Sequence, residues 1–325
     1  MTLRERILGR SGFRVGDACL GAMTFGTRWG WGADEDTCRE MYAVFREAGG
    51  NSVDTANNYT DGESEEIVGR LIASERDSVV LSTKFTLPIG ADANTGGGHR
   101  KSLRQSVESS LRRLATDYVD VLFVHAWDQR TPVDETLRAL DDLVAAGKVL
   151  ALGVSNTPAW VIARSDLLAE LRGWERFCVL QVPYSLVGRD ADRELLPLAR
   201  ALELAVWGYS PLARGALTGK PRAAGFPPLE PAVQAVVDET AKVAAELGTS
   251  AAEVALAWVW HHGITPVLGA RTVAQIKDNL AAAELRLGDD KLARLDAASA
   301  VPLGYPHDFV RALFPFLVDD ENKRL

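Results

Sequence analysis

The sequence predicts an α/β fold, a (β/α)8 TIM barrel with a short N-terminal β-hairpin, and two observations carry that expectation. Short β-branched or apolar runs alternate with longer amphipathic stretches from about residue 17 to about residue 283, which is the rhythm of repeated βα units feeding a parallel sheet. The length of 325 residues fits two average domains or one enlarged barrel. No linker divides the chain, so residues 1–325 read as a single barrel domain.

The elements follow in order. The segment Arg6 to Leu8 pairs with the stretch after Gly12 as the hairpin. Eight strands are expected at Cys19 to Ala22, Asn51 to Asp54, Ser78 to Thr83, Tyr118 to His125, Leu150 to Val154, Val179 to Pro183, Ala205 to Tyr209 and Ile264 to Leu268. Between them, Leu103, Val107, Leu111 and Leu114 recur at helical spacing, as do Val133, Leu137, Leu140 and Val144, and each set gives one apolar stripe to lay on the barrel. The second of these helices starts with Thr131 as cap and Pro132 in the first turn, and stops at Gly147. Ser250 with Glu253, and Thr272 with Gln275, match the capping box. Asn94 to Gly98 is a loop between the third strand and its helix. Lys220 to Pro231, with four prolines, reads as an excursion on the seventh unit. A helix from Asp289 to Ser299 is followed by an irregular tail with Tyr305, His307 and Phe309.

Composition excludes several classes of function. A net charge of −8 argues against nucleic acid, whose binders carry basic faces, and favours a small-molecule partner. No apolar run approaches the roughly 20 residues of a membrane helix. Arg4, Glu5, Arg6 and Arg10 interrupt any signal-peptide core, and three widely spaced cysteines make a reducing cytoplasm the expected compartment. Cys19, Cys38 and Cys178 form no CxxC pair, and the adjacent His261 and His262 lack the i, i+4 geometry of a metal pair. No metal is expected.

In such barrels the active site lies at the C-terminal ends of the strands. The polar residues there are Asp54, Lys84, His125, Ser155, Asn156, Gln181 and Tyr209. Taken singly, a lysine after a strand is solvated and a histidine ending one is packed core. Together they converge on one face of one barrel. Tyr59, five residues after Asp54, rises over the same mouth. A free phenol has a pKa of about 10, and a neighbouring Lys84 held by Asp54 is expected to lower it by about two to three units, or about 3 to 4 kcal/mol at roughly 1.36 kcal/mol per unit.

In the contexts DTANNY, STKF and FVHAWD, these residues resemble the aspartate, tyrosine, lysine and histidine tetrad of the aldo-keto reductases, and the resemblance runs along nearly the whole chain. It implies that Asp54, Tyr59, Lys84 and His125 are catalytic and that NADPH delivers a hydride to a substrate carbonyl. Tyr59 would protonate the developing alkoxide and His125 would orient the carbonyl oxygen. The segments GVSN, QVPYS, YSPLARGALTGK and PVLGARTVAQIKDN look like the family's cofactor-binding stretches. Ser155, Asn156 and Gln181 suit the nicotinamide carboxamide, and Tyr209 offers a ring to stack on the nicotinamide. Ala22 and Met23 are further implied contacts, and Ser210, Leu212, Arg214, Gly215 and Lys220 are expected along the pyrophosphate. No GxGxxG follows a strand, and GALTGK is one residue short of a Walker pattern. Gly269, Ala270 and Arg271 open the last helix, where the dipole favours an anion. Arg271 would pair with the 2′-phosphate, and Gln275 and Asn279 would reach the adenine, which favours NADPH over NADH.

Trp29, Trp31, Phe85 and Trp127 put aromatic surface near this mouth and are expected to line a pocket for an apolar or ring-bearing carbonyl compound. Packing of loop against loop is the alternative reading for Trp29 and Trp31. Three functions follow: a general aldehyde or ketone reductase, a dedicated reductase of a keto-sugar or secondary metabolite, or a cofactor-binding regulatory subunit resembling the potassium-channel β subunits.

Overall fold

The computed structural model describes residues 2–220 and 228–317. Strands β1 (Glu5–Ile7) and β2 (Arg14–Gly16) form the antiparallel hairpin. Eight parallel strands then close a barrel: β3 (Cys19–Gly21), β4 (Ser52–Asp54), β5 (Val80–Phe85), β6 (Val119–Val124), β7 (Val149–Ser155), β8 (Phe177–Pro183), β9 (Ala205–Tyr209) and β10 (Thr265–Gly269). They pair in chain order, with β10 returning to β3. The helices around them are α1 (Glu35–Glu47), α2 (Glu63–Ile72), α3 (Arg100–Leu114), α4 (Val133–Ala145), α5 (Ala159–Arg172), α6 (Leu195–Ala201), α7 (Pro231–Leu247), α8 (Ala251–His261), α9 (Val273–Ala281), α10 (Asp289–Ala298) and α11 (His307–Leu313). None of the described helices is long and apolar enough to cross a membrane.

Strand alternation divides the core into two layers. Leu20, Val53, Leu81, Phe85, Leu122, Leu152, Leu180, Val206 and Leu268 face outward, under the helices. Cys19, Val121, Phe123, Ala151, Val179, Trp207 and Val267 fill the interior. Lys84 lies within β5 rather than after it, because the ladder continues with Lys84 opposite Phe123 and Phe85 opposite Val124. His125 is the first residue beyond β6, and Ala22 the first beyond β3.

Several local expectations shift. Helix α4 starts at Val133 with Pro132 in the cap position, extended at ψ 134°. The Thr131 hydroxyl does not cap it but donates to Asp128 Oδ2 at 2.6 Å. The capping box at Ser250 and Glu253 forms with both arms. At Thr272 only one arm forms, since Gln275 Oε1 accepts from the Arg271 N–H at 2.8 Å. The seventh unit carries two helices, α7 and α8, and the core of the expected excursion, residues 221–227, lies outside the described residues. The tail is not irregular throughout: α11 forms there, started by Asp308 Oδ2 accepting the Gly304 N–H at 2.8 Å. Tyr305 and Phe309 on this segment are exposed.

Candidate active site

Strand register builds the centre of the mouth. Asp54 at the end of β4 lies opposite Ser82 of β5. Lys84, two residues further on, faces the same side as Ser82, since side chains alternate along a strand. Lys84 is 1% exposed and Asp54 2%. The Lys84 ammonium donates to Asp54 Oδ2 at 2.5 Å, to the Thr55 carbonyl at 2.8 Å and to the Tyr59 hydroxyl at 3.2 Å. Ser82 donates to the other Asp54 oxygen at 2.7 Å. The three donors of the lysine are therefore all directed, which a buried cation requires.

Tyr59 reaches this cluster from the turn Tyr59–Gly62, where Thr60 and Asp61 take φ values of 45° and 54°. Such left-handed backbone is costly for residues other than glycine and persists only where the surroundings hold it. Thr60 supplies the hold, donating to the Phe25 carbonyl at 2.8 Å and accepting from the Ser64 N–H at 2.9 Å. The rings of Tyr59 and His125 meet edge to face at 5.8 Å. All four residues expected to act together are thus in one cluster, while Ser82 and Thr55 are partners that the reading of the sequence missed. Ser82 was accessible to it, lying two residues before Lys84 on the same face.

The electrostatics depart from expectation at one point. Burial pushes the Tyr59 phenol above its ordinary value; Lys84 opposes this and Asp54 adds to it. The expected lowering is not found, because burial of the ring outweighs the Lys84 charge, and Asp54 adds to the rise. Burial works against the Lys84 charge, but Asp54 and Tyr59 together carry its pKa above the ordinary value. Burial, helped by Lys84, pushes His125 down to about 3. Tyr59 is therefore a protonated phenol and His125 a neutral imidazole at neutral pH, a state that donates protons and hydrogen bonds without a buried charge to neutralise.

Around this cluster lie the residues expected to hold a cofactor. The Gln181 side chain is buried and its Nε2 has no partner. Ser155, next to it on β7, is buried and accepts from Asn156 Nδ2 at 2.9 Å. Asn156, at φ 46°, also donates to the His125 carbonyl at 2.8 Å and accepts from the Tyr209 hydroxyl at 2.9 Å, which leaves the Tyr209 ring half-buried at the mouth. Ala22 is buried, whereas Met23 is exposed. Ser210 and Arg214 have φ of 53° each, and Gly215 follows at 90°. Leu212 is half-buried beside them, and Arg214 and Lys220 are exposed. Beyond β10, Gly269 and Arg271 are exposed and Ala270 is buried. Thr24 donates to the Ala270 carbonyl at 2.6 Å and so ties the first βα loop to the last. Asn279 is buried, donating to the Gly269 carbonyl at 3.3 Å, so it braces the strand end, and Gln275 has its oxygen engaged by Arg271. The guanidinium of Arg271 has no acidic partner among the described residues. The unpaired buried amide of Gln181 suits a carboxamide, so these residues could hold a nicotinamide cofactor.

The aromatic residues divide. Phe85 is fully buried in the outward layer, on the opposite face of β5 from Lys84, so it cannot line the mouth. Trp29 donates to Asp61 Oδ1 at 3.2 Å on the turn that carries Tyr59, and its ring lies 5.7 Å from that of Trp31. Trp29 therefore joins two loops. Trp127 meets Trp160 of α5 edge to face at 5.4 Å. Trp160, 58% exposed, was not singled out by sequence.

Comparison with known proteins follows the same lines. The profile of the Aldo/keto reductase family matches residues 18–300. A norsolorinic acid reductase from Emericella nidulans is 37% identical over 318 residues, covering 92% of this chain and 82% of that protein. An aryl-alcohol dehydrogenase from Pestalotiopsis microspora is 35% identical over 330 residues, 94% of this chain and 85% of that protein. An aldo-keto reductase from Aspergillus calidoustus is 33% identical over 335 residues, 94% of this chain and 85% of that protein.

Proposed function

Because the chain belongs to the aldo/keto reductase family and is an oxidoreductase of that kind, we propose that it reduces the carbonyl of an aromatic aldehyde or ketone with NADPH, and that Tyr59 supplies the proton. The observation that carries this reading is the Tyr59 hydroxyl held 3.2 Å from a lysine locked to Asp54. When bound, the reduced nicotinamide supplies the hydride. As negative charge builds on the substrate oxygen, the Tyr59 O–H donates to it, and the adjacent Lys84 ammonium stabilises the phenolate left behind. Neutral His125 positions the same oxygen by hydrogen bonding. Gln181, Ser155 and Asn156 would hold the carboxamide, Tyr209 would cover the ring, and Arg271 would take the 2′-phosphate.

The relatives' names, which include norsolorinic acid and aryl alcohols, favour a ring-bearing secondary metabolite over a keto-sugar. Trp127, two residues after His125, would with Trp160 supply aromatic surface for such a compound. The test is NADPH oxidation with a panel of aryl and alkyl carbonyls. The intact protein is expected to turn over aryl ketones or aldehydes best. Tyr59→Phe should lose about 10²- to 10⁴-fold in kcat, the usual share of a positioned acid, with NADPH affinity unchanged. A Tyr59→Phe variant of undiminished rate would remove Tyr59 from the proton transfer.

A further inference from the structure

Below the mouth, the barrel holds a donor that neither the fold nor the proposed chemistry uses. Trp207 is 0% exposed, and its indole Nε1 has no hydrogen-bond partner. A buried indole N–H normally finds an acceptor; an apolar side chain at this position would make no such demand. On β9, Val206 packs outward and Trp207 inward. The register sets Trp207 beside Gln181 of β8, whose Nε2 is likewise buried and unpartnered. Gln181 faces the interior too, two residues beyond the inward-facing Val179. Two unused N–H donors thus stand on neighbouring strands at one level of the barrel.

The indole is also held in place. Its ring lies 5.7 Å from that of Phe123, and Phe123 fits because β7 has Gly153 there: a Cβ on Gly153 would sit 2.4 Å from the Phe123 ring. Phe123 in turn lies 5.9 Å from the Lys84 ammonium. The stack therefore links the tetrad to the Trp207 and Gln181 pair.

We propose that Trp207 is a further cofactor-positioning residue, its indole N–H and the Gln181 amide together holding one oxygen acceptor, the carboxamide oxygen of the nicotinamide. This rests on the NADPH reading above. A carbonyl oxygen has two lone pairs and accepts from two donors at once, so a pair of N–H groups fixes the orientation of the carboxamide as a single one does not.

Calorimetric titration of the intact protein and of Trp207→Phe with NADP+ and with 2′,5′-ADP, which lacks the nicotinamide, tests this. The variant keeps an aromatic contact with Phe123 and removes the donor, leaving a small cavity. It is expected to bind NADP+ roughly fivefold to tenfold more weakly, the loss of one hydrogen bond, and to bind 2′,5′-ADP unchanged, with the modest fall in melting temperature that a small core cavity brings. Unchanged affinity for both ligands would overturn the proposal, the N–H then serving a buried water; equal weakening of both would also overturn it, as a packing effect. The thionicotinamide analogue of NADP+, whose sulfur is a poor acceptor, gives a second reading on the intact protein, where it should bind less tightly than NADP+. An intact protein that binds 2′,5′-ADP and NADP+ equally tightly defeats this inference alone, and one that binds neither defeats the cofactor reading beneath it.

Discussion

The tetrad corner and the rim at β9 and β10 are built on opposite terms. In the corner, Asp54, Lys84, Ser82 and Thr55 satisfy one another at 2.5 to 2.8 Å and are closed from water. On the rim, Arg214, Lys220, Gly269 and Arg271 are exposed, and the backbone at Ser210 and Arg214 is left-handed. One region is complete without a ligand and the other is arranged for one. Proton chemistry needs donors fixed before the reaction, whereas a dinucleotide needs a surface that opens to admit it. Changes in the corner should therefore damage the fold and the rate together, and changes on the rim should touch binding alone.

The largest effect expected within that contrast comes from Lys84→Met. It removes the cation but leaves the Asp54 carboxylate buried, and breaking such a pair costs about 3 to 5 kcal/mol. The phenolate also loses its stabilising charge. Denaturant unfolding should show that loss of stability, and kcat should fall at least as far as in Tyr59→Phe. A variant as stable as the intact protein would mean that water reaches Asp54 and that the corner is less closed than its hydrogen bonds indicate.

The same contrast explains what was legible in the sequence. The barrel was readable because eight apolar runs punctuate the chain. The tetrad was readable because Asp54, Lys84 and His125 sit at or near the ends of apolar runs and Tyr59 follows Asp54 on the loop above the same mouth. Boundaries moved where a polar residue continues a ladder, as Lys84 does within β5. Phe85 was misjudged because its neighbour Lys84 faces the mouth, and strand alternation sends the next residue the other way. The direction of the Tyr59 shift was missed because desolvation depends on what covers the ring, which no spacing records. On the rim, Gln181 was named from its place late in a strand and Arg271 from the start of the last helix, their roles through resemblance, while neither the unpaired Trp207 donor nor Trp160 announced itself, since a buried tryptophan and a surface one read alike in sequence.

A smaller and more selective effect is expected from Arg271→Ala. Its guanidinium makes no ion pair among the described residues, so the fold should lose nothing measurable. A charge-assisted contact to the 2′-phosphate is worth about 1.5 to 3 kcal/mol, so NADPH should bind roughly tenfold to a hundredfold more weakly while NADH is unaffected. Titration of both cofactors checks this. Equal weakening of the two would place Arg271 at the pyrophosphate instead.

The smallest effect is an absence of change with pH. His125 is pushed down to about 3, so it stays neutral through the whole working range. Tyr59 is raised by burial, so the form that donates a proton persists above the ordinary tyrosine value of about 10 and is lost only as pH rises through the shifted value. The kcat for carbonyl reduction should then be flat from about pH 5 to about pH 9, set by those two limits. Alcohol oxidation needs the phenolate and should rise with pH over the same span. A reduction rate that falls between pH 6 and pH 8 would show the phenol titrating near neutrality. It would mean that the Lys84 charge, and not burial, governs Tyr59 once a ligand closes the rim over the corner.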